Sequence, residues 1–243
     1  MPEALLRIYR GGAESGGEVD YRVDVEPGMV VLDAIRHVQE HQAPDLAIRW
    51  NCKAGRCGSC SAEVNGRPRL TCKTRMDAFA PGEAITIRPM KAFPIVKDLV
   101  TDVSWNYAVN RRIPPFKRIA DRDRKIYQED VDRVQEFRKC IECFLCQNVC
   151  HVLRDHDLKE AFAGPRFLVR LAALEMHPLD DQDRSRYLKD EAGTGFCNIT
   201  KCCTEVCPEE IRITDNAIIP LKERVVDRYY DPIARLLSIV RAK

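Results

Sequence analysis

The chain has 243 residues, enough for one large domain or two of ordinary size, and its 31% charged residues are those of a soluble chain. Net charge is +2, and the charges divide evenly: 14 basic and 13 acidic residues up to residue 100, 25 and 24 beyond it. That balance excludes a basic arm for nucleic acid or for an anionic membrane. Met1-Pro-Glu-Ala has no charged lead and long apolar core, so no export signal is expected. No apolar run approaches a membrane span; the densest, from Phe167 to Leu174, is broken by Arg170.

The first hundred residues predict mixed strand and helix. Leu5–Tyr9 and Tyr21–Val25 have strand character, the second with period-two alternation, and glycines between them mark a hairpin. Val31, Leu32, Ile35 and Val38 are spaced for a helix over 30–41. Asn65-Gly66 is a tight-turn signal between strands at 62–64 and 69–71, and Ala84–Ile87 closes the set. A small sheet gripping one helix, a β-grasp, fits this order. A boundary is expected near residue 100, after which 101–125 forms a lead-in of turns and short helices. Beyond it the chain reads as helical, around Val131, Val134 and Phe137, from Phe167 to a stop near His177-Pro178, and from Ala217 to Tyr230. The fold class expected is α+β, with domains 1–100 and 101–243.

Twelve cysteines fall into three groups of four. A disulfide framework is the bland alternative, but such scaffolds are short and exported, whereas thiols that stay reduced are available to metals. The first group, Cys52-x4-Cys57-x2-Cys60 with Cys72, has the plant-type ferredoxin spacing for a [2Fe–2S] cluster. Gly55 and Gly58 let the backbone wrap closely and aim amides at sulfur. Zinc loops prefer paired short spacings instead.

The second group, Cys140-x2-Cys143-x2-Cys146-x3-Cys150, matches the two-cluster ferredoxin run, whose fourth cysteine serves the other cluster. The same ruler laid from Cys197 requires ligands at 197, 200, 203 and 207, and finds Thr200 in place of one cysteine. Crossing the fourth cysteines assigns Cys140, Cys143, Cys146 and Cys207 to a [4Fe–4S] cluster. Cys150, Cys197 and Cys203 are left to hold a [3Fe–4S] cluster, since an iron without its thiolate is easily lost. Cys202 remains, read as a buried spare thiol, with a fourth-ligand role as the sharper alternative. Such clusters need protein for spacing and tuning rather than for bond chemistry, so no catalytic residue is expected. His37 and His41 read as ordinary surface or capping histidines.

A plant-type domain followed by a helical four-iron and three-iron domain resembles the iron–sulfur subunit of succinate dehydrogenase and quinol:fumarate reductase. The likeness extends through Arg49–Gly55, Phe93–Val100 and Cys140-Ile141-Glu142-Cys143. Asn148–Val152 and Lys201–Pro208 resemble the actinobacterial-type branch. The resemblance implies a partner flavoprotein with FAD that interconverts succinate and fumarate, as in the tricarboxylic acid cycle. It implies electron transport through the three clusters to quinone at a membrane-anchor subunit, with this chain peripheral on the cytoplasmic face and without substrate chemistry of its own. One departure concerns the quinone. Many members have proline after the cysteine equivalent to Cys150 and a tryptophan shortly beyond, whereas His151 follows here and the tryptophans are Trp50 and Trp105. A differently built site, for menaquinone with His151 or Arg154 near the headgroup, is the sharper reading; the plainer one, which the residues alone favour, makes both helix-surface residues beside the cluster.

Cluster subunits of other membrane dehydrogenases, for glycerol-3-phosphate or glycolate, generally lack a plant-type domain, so Cys52–Cys72 argues against them. Structural clusters in a nucleic-acid-processing protein would bring a basic face or a phosphate-binding loop, and neither is found.

Overall fold

Leu6 and Ile8, two residues apart, are fully buried on one face of β1 (Glu3–Arg10). β2 (Gly17–Asp24) pairs antiparallel along its whole length, from Glu3↔Asp24 to Arg10↔Gly17. The computed structural model describes residues 3–120 and 125–232. It divides into two units: one runs to Trp105 and also takes in Ile141–Val149, and the other comprises Asn106–Cys140 and the chain from Cys150 on.

In the first unit, α1 (Val31–His41) follows β2. Its buried residues Val31, Ala34, Ile35 and Val38 share one core with Leu6, Ile8, Val64, Ile85 and Ile87. Asp33 in its first turn accepts the Val30 N–H at 3.3 Å, satisfying a donor that the helix leaves unpaired. β3 (Ser61–Val64) and β4 (Arg67–Leu70) flank Asn65 and Gly66, both at positive φ (47° and 72°), the geometry of a type I′ hairpin. β5 (Ile85–Arg88) lies parallel to β1 and antiparallel to β3, giving the order β2-β1-β5-β3-β4. This is the β-grasp that the hydrophobic pattern implies.

A two-stranded ribbon, β6 (Ile95–Lys97) and β7 (Val100–Thr101), was not legible in the pattern. Its turn holds Asp98, 1% exposed, whose carboxylate accepts the Gly11 and Ala47 N–H groups at 2.7 Å each. The Arg10 guanidinium stands 3.2 Å away as its counter-charge. One carboxylate thus closes three loops. Asp98→Ala strands two inward-facing amides, while Arg10 keeps Asp45 at 2.6 Å and the Tyr21 hydroxyl at 2.7 Å, and is expected to cost about 2–4 kcal/mol, read as a lower urea midpoint at an unchanged slope.

α2 (Ser104–Arg112) carries the chain from one unit into the next. The second unit is helical and irregular by turns: α3 (Gln128–Val134) continues as a 3₁₀ turn over Gln135–Lys139. α4 (Leu145–Val149) belongs to the first unit, and α5 (His151–Arg154) opens the next stretch of the second. α6 (Pro165–Glu175) buries Phe167, Leu168, Val169, Leu171 and Ala172, and exposes Arg170. After α7 (Cys202–Glu205), a wide π-turn over Ile213–Ile218 leads into α8 (Ile219–Tyr229) and packs against α6. Pro220 therefore sits at the second position of α8, directly after the π-turn.

Arg184 has a fully buried side chain and stitches the unit's irregular segments. Its Nε donates to the Pro114 carbonyl at 2.9 Å, Nη1 to Glu175 and the Gln182 carbonyl, and Nη2 to Pro115 O and Asp180 at 2.8 Å each. All five donors of the guanidinium are used. Among the described residues no helix is long and apolar enough to cross a membrane.

Candidate metal centres

The β3–β4 hairpin brings the first cysteine group together. Cys60 precedes β3 and Cys72 follows β4, and the Thr71 N–H and hydroxyl each lie 3.1 Å from the Cys60 carbonyl oxygen. Cys52 and Cys57 come from the preceding loop, curled by Lys53, Gly55 and Gly58, which all have left-handed backbone. That curl turns the Ala54 and Arg56 N–H groups onto the Cys52 sulfur at 3.4 and 3.3 Å. Burial works against ionisation of Cys57, but hydrogen bonds from the Ser59 hydroxyl and the Cys52 and Ser59 amides outweigh it and bring its pKa to about 6. The form that ligates metal is therefore available at neutral pH. Burial, the Cys60 sulfur and the charge of Cys52 push Cys72 to about 12, against an opposing Gly55 amide. Four convergent sulfurs, one of them reached by two inward-turned amides, form a donor set that a cationic core would complete.

Gly58 and Ser61 tie this loop to the second cysteine run. A Cβ on Gly58 would lie 2.6 Å from Cys143 Cα. The buried Ser61 hydroxyl lies 2.8 Å from the Cys143 carbonyl oxygen. Asn148, fully buried, accepts the Ala92 N–H at 2.9 Å and donates to the buried Glu63 carboxylate at 2.8 Å. Phe144 meets Phe93 edge-to-face at 6.4 Å. Cys143 and Cys146, both buried, are thus anchored in the first unit. Cys140 and Cys207 lie in the second. There burial raises the Cys207 pKa, opposed by the Ile211 and Glu209 amides and reinforced by the facing Cys140.

Cys150 stands at the start of α5, Cys197 after a 3₁₀ turn over Thr194–Phe196, and Cys203 in the first turn of α7. Burial pushes Cys150 to about 11 and Cys203 to about 12, and in each case the charges of Cys202 and Cys197 add to it. The Val152 and Leu153 amides at Cys150, and the Thr214 hydroxyl 3.5 Å from Cys203, act in the opposite sense. These sulfurs accordingly lie close enough to sense one another.

The second and third cysteine runs share a backbone signature. Glu142 and Phe144 flank Cys143 at φ 56° and 60°, and Ile199 and Lys201 flank Thr200 at 63° each. A β-branched residue such as Ile199 is a true outlier there, held only where the surrounding chain enforces it. Thr200 thus occupies the backbone position that Cys143 occupies in the other run.

Cys202 departs from expectation. It is half-buried rather than buried, with its sulfur 3.3 Å from the Thr200 hydroxyl. The left-handed Lys201 precedes the short α7, and the charge of Cys202 acts on both Cys150 and Cys203.

Among the described residues no three His, Cys, Asp or Glu side chains close on a point as ligands of a single ion would; an iron–sulfur cluster is a larger body. His151 and His156 meet edge-to-face at 6.2 Å, and Arg154 is 3.9 Å from Asp155. His37 and His41 stack on α1 at 4.3 Å. Ser61, Glu63, Asn148 and Thr214 carried no signal beyond their proximity in sequence to cysteines or strands.

The first part of the chain matches the 2Fe-2S iron-sulfur cluster binding domain over residues 6–107, and the second matches the 4Fe-4S dicluster domain over 136–211. A chain of the Mycobacterium smegmatis Sdh1 complex superimposes with a TM-score of 0.93 at 61% identity, covering 96% of this chain and 99% of that one. The fumarate reductase iron-sulfur subunit of Wolinella succinogenes is 30% identical over 85% of this chain and 89% of its own length. An uncharacterized iron-sulfur protein of Methanococcus maripaludis is 29% identical over 86% of this chain, which spans only 42% of that longer protein. With likeness to the fumarate reductase subunit and to the Sdh1 chain running nearly end to end in both partners, the chain belongs to the family of succinate dehydrogenase and fumarate reductase iron–sulfur subunits.

Proposed function

We propose that this chain is the electron-transfer subunit of a succinate:quinone oxidoreductase, with a [2Fe–2S] domain over 1–100 and a two-cluster domain over 101–243. Cys52, Cys57, Cys60 and Cys72 hold the two-iron cluster. Cys140, Cys143, Cys146 and Cys207 hold [4Fe–4S], and Cys150, Cys197 and Cys203 hold [3Fe–4S]. Bound in that order, the clusters relay single electrons between the FAD of a flavoprotein partner and a quinone beside a membrane-anchor subunit. The chain's own residues hold, space and tune, and do no substrate chemistry.

The observation that carries this reading is the repeated left-handed frame around Cys143 and Thr200, with a thiol at one position and a hydroxyl at the other. Amides directed at Cys52, Cys150 and Cys207 support it, since such hydrogen bonds set cluster potential. His151 and Arg154, both half-buried in the helix that Cys150 opens, are the candidates for the headgroup of a menaquinone. The absence of a membrane-crossing helix among the described residues fits a peripheral place on the cytoplasmic face, held by the anchor.

The chain purified anaerobically with its partners should contain iron and acid-labile sulfide. It should show a three-iron paramagnetic signal when oxidised, further signals when reduced, and succinate-linked dye reduction from the complex only. Zinc in place of iron, or iron that ignores reductant, overturns the proposal. His151→Ala should weaken quinone reduction with all cluster signals intact; unchanged quinone affinity removes His151 from the site.

A further inference from the structure

We propose that Ser61 is a positioning residue that couples the first cysteine loop to the second. The inference rests on the ligand assignment above. Ser61 is the first residue of β3, directly after Cys60, and it is 8% exposed. Its hydroxyl lies 2.8 Å from the carbonyl oxygen of Cys143 and 3.0 Å from that of Gly58. A hydroxyl has one proton to give, and the shorter contact places it on Cys143. Gly58, two residues before Cys60, leaves no room for a Cβ against Cys143. The two loops therefore touch through backbone, and one directional bond sets how they touch.

That bond completes a continuous route. From the Cys60 sulfur it follows the side chain and peptide to Ser61, crosses the Oγ–H···O=C contact, and enters the Cys143 backbone and side chain. Without the hydroxyl, that route is cut at the Cys143 carbonyl. In the step served, the centre held by Cys60 is oxidised by one electron and the centre held by Cys143 is reduced by one. No bond is made or broken, and Ser61 keeps its proton.

The test uses the assembled, partner-bound complex with Ser61→Ala and Ser61→Thr. Alanine fits the space of serine, and threonine restores the hydroxyl. In Ser61→Ala, every cluster signal should persist. The spin–spin broadening between the two reduced centres should weaken, and electron equilibration between them after pulsed reduction should slow several-fold. Ser61→Thr should return both towards wild type. Wild-type broadening and equilibration in Ser61→Ala overturns the proposal, and so does loss of a centre in that variant, which makes Ser61 a folding residue only. Absence of either centre from the wild-type complex instead sinks the ligand assignment.

Discussion

Gly58→Ala should strip iron from the first cysteine group and unseat Ile141–Val149, while Gly55→Ala should leave both in place. Gly58 and Gly55 have nearly the same left-handed backbone, at φ 68° and 67°, so an alanine at either carries the same conformational penalty of roughly 1–2 kcal/mol. What differs is the obstacle. At Gly55 the added methyl would meet the Lys73 side chain, with Cδ the nearest atom at 2.4 Å, and a lysine stem swings aside. At Gly58 it would meet Cys143 itself, with Cα at 2.6 Å and both N and Cβ at 2.9 Å. Backbone cannot move there without dragging the Ser61 and Asn148 hydrogen bonds that hold the run. The clash therefore adds to the backbone strain at Gly58 and not at Gly55. Iron content and paramagnetic spectra of the two variants, purified side by side, give the comparison. Equal losses would mean that left-handed strain alone matters and that close approach to Cys143 does not.

What the amino-acid pattern conveyed, and what it hid, follows from the range of each interaction. The β-grasp was legible because Leu6, Ile8, Val31, Ile35 and Val38 report local periodicity, and because Asn65-Gly66 fits almost nothing but a tight hairpin. The cysteine groups were legible because cluster ligation imposes short spacings within a loop. Asp98, Glu63 and Asn148 were silent, since each satisfies groups far away in the chain: Asp98 joins Gly11 and Ala47, and Asn148 joins Ala92 and Glu63. A charged residue in a polar stretch has the same local signature whether it faces water or closes three loops. Cys202 was misjudged for a related reason, as the left-handed turn at Lys201 that precedes it is carried by a residue with no preference for it.

Arg184 is the extreme case of that silence, and its replacement is expected to be the most damaging change away from the cysteines. Within Asp180-Asp181-Gln182-Asp183-Arg184 it reads as one charge in a solvated run, yet its side chain is completely buried. Arg184→Met keeps the volume and removes the charge. It leaves Asp180 and Glu175, whose side chains are 3% and 7% exposed, short of their principal cation, and strands the carbonyls of Pro114, Pro115 and Gln182. Breaking one side of such a pair costs about 3–5 kcal/mol, or on the order of 10 °C in melting temperature. The loss should also depend on pH, with a definite sign. Burial already raises Glu175 above its ordinary 4.5, despite Arg184 and Arg224 pulling it down, and removal of Arg184 raises it further. The folded state then holds a proton that the unfolded state releases. The stability linked to that proton is complete below the unfolded value and fades as pH climbs through the folded one. Arg184→Met should therefore lie nearest to wild type at acid pH and fall progressively behind it above about pH 4.5. Adding Glu175→Gln should flatten that divergence, since glutamine cannot titrate and the carboxylate left short of its cation is gone. A gap between Arg184→Met and wild type that stays constant over the same pH range would show that the two side chains are not linked as their 3.3 Å contact implies.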